Sequence, residues 1–358
     1  MNQVRLNKIL KRMEDSGIPQ LIICDPASIF YLTGQWIHPG ERMLALYLTL
    51  SGQHKLFVNE LFLGMKQPEV ETVWFNDMQQ GAEALAPFIN EAEPVGVDKT
   101  WTANFLLRLM ELKKTGSFVN GSGLVDCVRM IKDAEEQQLM REASQLNDVA
   151  IDRVIALVSQ NYSEKKLAQL LPEIYGDLGA EGCSFDPIIA YGAHGATSHH
   201  EPEECLLKPG DSVIIDIGCR KNSYCSDMTR TVFYKFVSDE AKKIYNIVLE
   251  ANRRAIEKVK PGARFCDIDA AARDYIAAAG YGQFFNHRTG HSIGLDVHDY
   301  GDVSSANTNA VEPGMIFSIE PSLKLPGECG VRIEDLVLVT QSGVEVLNAY
   351  DKELLIVE

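Results

Sequence analysis

A chain of 358 residues is long for one hydrophobic core and predicts two domains. Hydrophobic residues make up 46% and charged residues 23%, proportions that exclude disorder. The chain has 34 basic against 50 acidic residues, a net charge of −16 with no offsetting basic cluster, so neither nucleic acid nor an anionic membrane is an expected partner.

The N-terminal residues 1–17 are charged, and no apolar run follows them that would serve as a signal-peptide core. Residues 6–13, apolar at Leu6, Ile9, Leu10 and Met13, predict an amphipathic helix. Leu21-Ile22-Ile23-Cys24 reads as a buried strand, broken by Asp25-Pro26. A further element ends in Tyr31-Leu32-Thr33-Gly34, which reads as a strand end. Strands are expected at 44–50, 55–58, 72–75 and 95–97, and helices at 82–90 and 103–113. This α/β unit contains no cluster of metal-ligand residues. A long helix begins after Asp133, a good N-cap with Glu135 and Glu136 in the first turn, and the domain boundary is placed just before it. The expected domains are 1–129 and 130–358. A second helix fits 163–178. Strands follow at 187–190, 212–217, 228–233, 315–320 and 332–339, with a helix at 239–259 that ends at Lys260-Pro261-Gly262. The eight cysteines are scattered without a C-x-x-C pair and read as free thiols of a reducing compartment. No stretch reaches the ~18 apolar residues of a membrane helix. The expectation is a cytoplasmic protein.

Four segments of the second domain carry chemistry. In Val213-Ile214-Ile215-Asp216-Ile217 a carboxylate sits inside a β-branched run, a costly place unless it is paired or metal-bound. Asp227 opens the next strand, and the polar Arg220-Lys221-Asn222-Ser223 between them reads as a hairpin loop that brings the two acids side by side. Two close anions repel unless a cation lies between them; the plainer alternative pairs Asp227 with Arg230. In residues 287–298 three histidines, His287, His291 and His298, fall within twelve positions, and Gly290 and Gly294 argue for extended or looped backbone over helix. Phe317-Ser318-Ile319-Glu320 again ends an apolar strand in an acid. Gly330-Val331-Arg332-Ile333-Glu334-Asp335 puts Arg332 and Glu334 on one strand face, where a salt bridge between them is the plainer alternative. Taken together, four carboxylates and a histidine in apolar segments of one domain require several positive charges. Two divalent ions supply them. An oxygen-rich set with imidazole suits Mn²⁺, Co²⁺, Zn²⁺ or Fe²⁺, and such a pair makes a bridging hydroxide available near neutral pH.

The order Asp216, Asp227, His291, Glu320, Glu334 resembles the pita-bread metallopeptidases: methionine aminopeptidase, aminopeptidase P and prolidase. Asp25-Pro26 and Tyr31-Leu32-Thr33-Gly34 are similar to the creatinase-type N-terminal domain, so the resemblance spans essentially the whole chain. It implies an α/β (α+β) protein with a creatinase-like α/β domain followed by a pita-bread catalytic domain. It implies two divalent ions, manganese or cobalt foremost, with zinc or iron compatible. By resemblance Asp227 and Glu334 bridge both ions, Asp216 chelates one, and His291 and Glu320 hold the other. Glu320 also matches the proton shuttle. His199 and His298 match histidines that donate to the developing oxyanion, and Arg332 matches an arginine near the substrate. The implied activity is hydrolysis of the Xaa-Pro bond of dipeptides or short proline-containing peptides by the metal-bridging hydroxide. Aminopeptidase P activity on longer peptides is the nearest alternative. A metal-free creatinase-like hydrolase and a non-catalytic binding protein are alternatives of a different class, disfavoured because all five ligand residues are present. The sequence departs from the family at Ser198, where proline is usual, at His194, where asparagine is common, and at Asp302, where archaeal prolidases carry an arginine near the substrate carboxylate. The resemblance also implies a homodimer. In it, the loop Trp36-Ile37-His38-Pro39-Gly40-Glu41-Arg42 is expected to reach the partner's site, with His38 or Arg42 replacing the missing arginine.

Overall fold

The computed structural model describes residues 1–64, 69–197 and 200–358. The chain divides into two compact units, Met1–Arg129 and Met130–Glu358. In the first, a six-stranded mixed sheet runs in the order Glu71–Phe75, Lys55–Asn59, Ala45–Thr49, Gln20–Ile23, Val95–Val97 and Phe118–Asn120. The central Gln20–Ile23 is buried at every position, as expected of a strand covered on both faces. One face packs on a core that includes Ile22, Tyr47, Phe57, Leu85 and Leu109.

Tyr31-Leu32-Thr33-Gly34 is not a strand end but the last turn of a helix, Pro26–Thr33. Asp25 caps it by accepting the Ser28 N–H (2.9 Å), Pro26 takes the first turn, where its missing donor costs nothing, and Gly34 closes it at φ 70°. The dipeptide that reads as a strand breaker is therefore also a helix start.

The second unit contains two helix pairs, each packed on its own strands. Ala134–Val158 and Glu164–Asp177 share a core with Ser212–Ile217 and Met228–Tyr234, built from residues such as Ile151, Leu171, Ile215 and Val232. The second pair, Asp239–Lys258 and Phe265–Ala278, packs through Val248, Ile268 and Ile276 on Phe317, Val331 and Val337. Residues 265–278 form a helix that the strand-rich expectation omits; its buried stripe Phe265, Ile268, Ala272, Ile276 is diluted by alanines. The helix that begins after Asp133 is capped as its sequence predicts, and two further helix starts are capped by serines. Asp133 and Glu136 form a reciprocal capping box, and Ser163 and Ser238 accept the Lys166 and Ala241 N–H groups at 3.1 Å each.

The expected strand over 332–339 is two strands, Cys329–Arg332 and Asp335–Val339. The first pairs with Ser322–Leu325 and the second with Ile316–Ile319, so the chain changes partner at Ile333-Glu334. Among the described residues no helix is long and apolar enough to cross a membrane, and all eight cysteines are free.

Candidate metal centre

The antiparallel pair Ser212–Ile217 and Met228–Tyr234 sets Asp216 opposite Thr229, two residues from Asp227. The chain returns between them through a tight turn at Asn222 and Ser223, both at positive φ (48° and 73°). Glu334, at the partner change, donates its backbone N–H to the Thr229 carbonyl (3.1 Å). Glu320 follows Ile316–Ile319 and donates its N–H to the Thr289 carbonyl (2.7 Å); the Thr289 hydroxyl is in turn fixed on Asp269 (2.7 Å). His291 ends the short strand Gly290–His291, and its N–H donates to Ser318 Oγ (3.1 Å). Gly290 is needed for that approach, since a Cβ there would stand 1.8 Å from the Ser318 carbonyl oxygen.

These five side chains line one cavity of about 490 Å³, within the usual size for small ligands. Asp227, His291 and Glu334 bring ligand atoms within 4.8 Å of one another. His291 Nε2 stands 3.7 Å from Asp227 Oδ2 and 3.6 Å from Glu320 Oε1. Those separations are long for hydrogen bonds and match the roughly 3–3.8 Å between two donors at bond lengths of about 2.0–2.2 Å on one ion. The His291 Nδ1 lies 3.2 Å from the Ser292 carbonyl, which places the proton there and leaves Nε2 as a lone pair. Asp216 Oδ1, Asp227 Oδ1 and Glu334 Oε1 are buried without a hydrogen-bond partner. An orphaned buried carboxylate oxygen is costly, and three in one cavity are a donor set that fits a cation.

The sequence matches the Metallopeptidase family M24 profile over residues 138–341 and the Creatinase/Prolidase N-terminal domain over 5–131. The chain belongs to metallopeptidase family M24. It is 37% identical over 355 residues to a peptidase of Staphylococcus haemolyticus, covering 97% of this chain and 99% of the relative. Its fold is similar to that of a prolidase from Thermococcus sibiricus (TM-score 0.94, 32% identity, 100% and 99% of the two chains covered). It is also similar to an Xaa-Pro dipeptidase from Bacillus anthracis (TM-score 0.90, 30% identity, 99% of each chain covered).

The electrostatics of this M24 centre favour a cation. Burial pushes the Asp227 carboxyl well above its ordinary range, and the charges of Glu334, Asp216 and Glu320 add to it. Glu334 moves the same way for the same reasons, burial first. Glu320 is pushed up to about 7 by burial, with Arg332 pulling it back and Asp216 raising it further. His291 is pushed down to about 3 by burial and then by His298 and Arg288, so its imidazole is neutral. Acids that resist ionising beside a neutral imidazole are groups that divalent ions stabilise as ligands.

Neither of the plainer pairings forms. Arg230 is buried against Asp335 (2.7 Å) and the Glu334 carbonyl (2.6 Å), and Arg332 pairs with Asp216. Arg230 turns away from Asp227 because it serves the layer beneath the candidate ligands, where it also fixes the backbone of Glu334. His298 packs edge-to-face on His291, with ring centroids 4.3 Å apart, and lines the cavity with Arg332. His287 binds Ser322 Oγ (2.5 Å) and the Arg288 carbonyl. His199 lies outside the described residues. His38 stacks on Trp36, itself stacked on Phe30, in the first unit. Arg42 is held there by Asp77 in a two-bond fork (2.8 Å each) and by Glu41. Arg288, Lys324 and His200 also line the cavity and were not among the expected site residues. Arg288 sits next to the histidine motif, and Lys324 lies in the hairpin that follows Glu320; both are basic residues near ligand segments, the one signal available for them.

Proposed function

We propose that this peptidase holds two divalent ions on Asp216, Asp227, His291, Glu320 and Glu334 and hydrolyses the Xaa-Pro bond of dipeptides. The observation that carries the proposal is a single cavity combining orphaned ligand oxygens with basic side chains. Its lining includes the five ligand residues, and also Arg288, Lys324 and Arg332. The ion pair, when bound, supplies a water deprotonated near neutral pH and polarises the scissile carbonyl.

The chain's own residues do the rest. Arg288 and Lys324 supply positive charge for the free carboxylate of a dipeptide, a group that an internal proline does not present. Lys324 is pushed down to about 8 by burial and then by Arg332, so an anionic substrate group would restore its full charge. His298, and His199 by resemblance, donate to the oxygen that becomes negative in the transition state. Glu320 takes the proton of the attacking water and passes it to the leaving proline nitrogen. Arg332 is committed to Asp216 and to Thr229 Oγ1 (3.1 Å), so it orients a ligand residue as well as facing the substrate.

The similarity to a prolidase and an Xaa-Pro dipeptidase supports this specificity. The test is turnover of an Xaa-Pro dipeptide against the matching Xaa-Pro-Yaa tripeptide, with Mn²⁺ added. The dipeptide is expected to be cleaved and the tripeptide spared. Faster cleavage of the tripeptide would overturn the dipeptidase reading in favour of an aminopeptidase, and no cleavage of either would overturn both.

A further inference from the structure

Away from the M24 centre, a second group of metal-binding side chains meets around Glu164. This residue opens the helix Glu164–Asp177 and is completely buried. Its Oε1 lies 2.9 Å from His194 Nδ1, and the same nitrogen lies 3.6 Å from Cys205 Sγ. The three ligand atoms all fall within 4.8 Å of one another. The other carboxylate oxygen, Oε2, is gripped by His200 Nε2 (2.7 Å) and the Glu203 N–H (2.9 Å), while the Tyr191 N–H donates to Oε1 (2.7 Å). The carboxylate is therefore oriented from three sides, with one edge turned to an imidazole and a thiol.

We infer that Glu164, His194 and Cys205 form a separate metal site that takes Zn²⁺. The 3.6 Å between nitrogen and sulfur is the spacing that bonds of about 2.0–2.1 Å and about 2.3 Å give at a tetrahedral angle. One thiolate, one imidazole and one carboxylate make a softer set than the oxygen-rich catalytic centre, so the two sites prefer different ions. Before binding, His194 donates its Nδ1 proton to Glu164 Oε1; on binding, the neutral imidazole moves that proton to Nε2 by exchange with solvent and turns the freed Nδ1 lone pair to the ion. Glu164 Oε1 then takes the ion in place of the histidine N–H and keeps the Tyr191 N–H. The Cys205 thiol releases its proton to solvent and binds as thiolate. His194 is partly exposed, which leaves a fourth position open to water.

The site also has a consequence for the cavity. It ties the start of one helix to the turn Gly192–Ala196 and to the loop at Cys205. His200, Glu201 and Pro202, within that span, line the catalytic cavity. A bound ion thus braces one cavity wall without touching substrate.

The proposed catalytic ligand set contains no sulfur, so a thiolate signature separates this site from that centre, and the loss of the signature on replacing Cys205 assigns it among the eight free thiols. In a Co²⁺ titration of the full-length protein, the near-ultraviolet sulfur-to-cobalt charge-transfer band is expected to appear and to be displaced by Zn²⁺. Zn²⁺ is also expected to slow alkylation of Cys205, followed by peptide mass spectrometry, at least about tenfold. Cys205→Ser should remove the band and weaken Zn²⁺ binding here by at least about 10²-fold, since loss of an outer-shell partner alone can cost that much. Mn²⁺-supported peptide hydrolysis should persist in that variant. His194→Gln, which keeps the thiol, should lose the band as well. Absence of the band in wild type, or its survival in either variant, would overturn the inference. None of these readouts depends on which peptides the enzyme cleaves.

Discussion

Replacing Glu320 by glutamine should flatten the pH dependence of stability in metal-stripped protein. Burial pushes the Glu320 carboxyl from 4.5 up to about 7, against the pull of Arg332 and with the push of Asp216. A folded value above the unfolded one means that the fold favours the protonated acid. Its stabilising contribution is therefore complete below pH 4.5 and is lost as pH rises through about 7. At about 1.4 kcal/mol for each pH unit across that interval, the loss is about 3 kcal/mol. Glutamine keeps the shape and cannot ionise. Urea unfolding in chelator at about pH 5 and about pH 8 measures the difference directly. Wild type should lose about 2.5 kcal/mol more than Glu320→Gln between the two conditions, since the first part of the loss falls below pH 5. Adding Mn²⁺ to wild type at about 100 times its Kd should restore about 2.7 kcal/mol for each ion bound, because only the folded state presents the ligands. Equal pH slopes in the two proteins would refute the reasoning, since the carboxyl would then ionise as freely in the fold as in water.

Asp227→Asn and Glu334→Gln should each abolish both hydrolysis and the metal-induced rise in Tm, and a variant that keeps full metal stabilisation would show that its residue is not a ligand. His298→Ala should lower kcat by about 10²–10³ while metal content by atomic absorption stays at the wild-type level; loss of metal would make His298 a ligand. Arg42→Ala tests the homodimer in which the loop from Trp36 to Arg42 meets the partner's site. It should raise KM for dipeptides while leaving the metals in place, and an enzyme that sediments as an active monomer would rule that arrangement out.

The candidate ligand residues were legible because they break the pattern around them. Asp216 interrupts a β-branched run, Glu320 ends an apolar strand, and Glu334 follows one, and an unneutralised carboxylate in such surroundings has a high free-energy cost. The helix starts at Asp133 and Ser163 were legible for a similar local reason, since the capping side chain lies three residues from the N–H it satisfies. Other features depend on contacts that no local pattern encodes. Asp25-Pro26 carries the same letters whether it breaks a strand or caps a helix, and packing within the first unit selected the helix. The strand over 332–339 is continuous in hydrophobic pattern, yet the chain changes partner at Glu334, and that change aims the side chain into the cavity. Arg230 is three residues from Asp227 but pairs with Asp335, 105 residues away. The Glu164, His194 and Cys205 group spans a helix, a turn and a loop, so its members show no common motif spacing. By itself the sequence determined which residues are too polar for their surroundings to remain without a charge partner. Only the tertiary structure decided which partners they have, because hydrogen bonds and ion pairs depend on distance in space and not on separation along the chain.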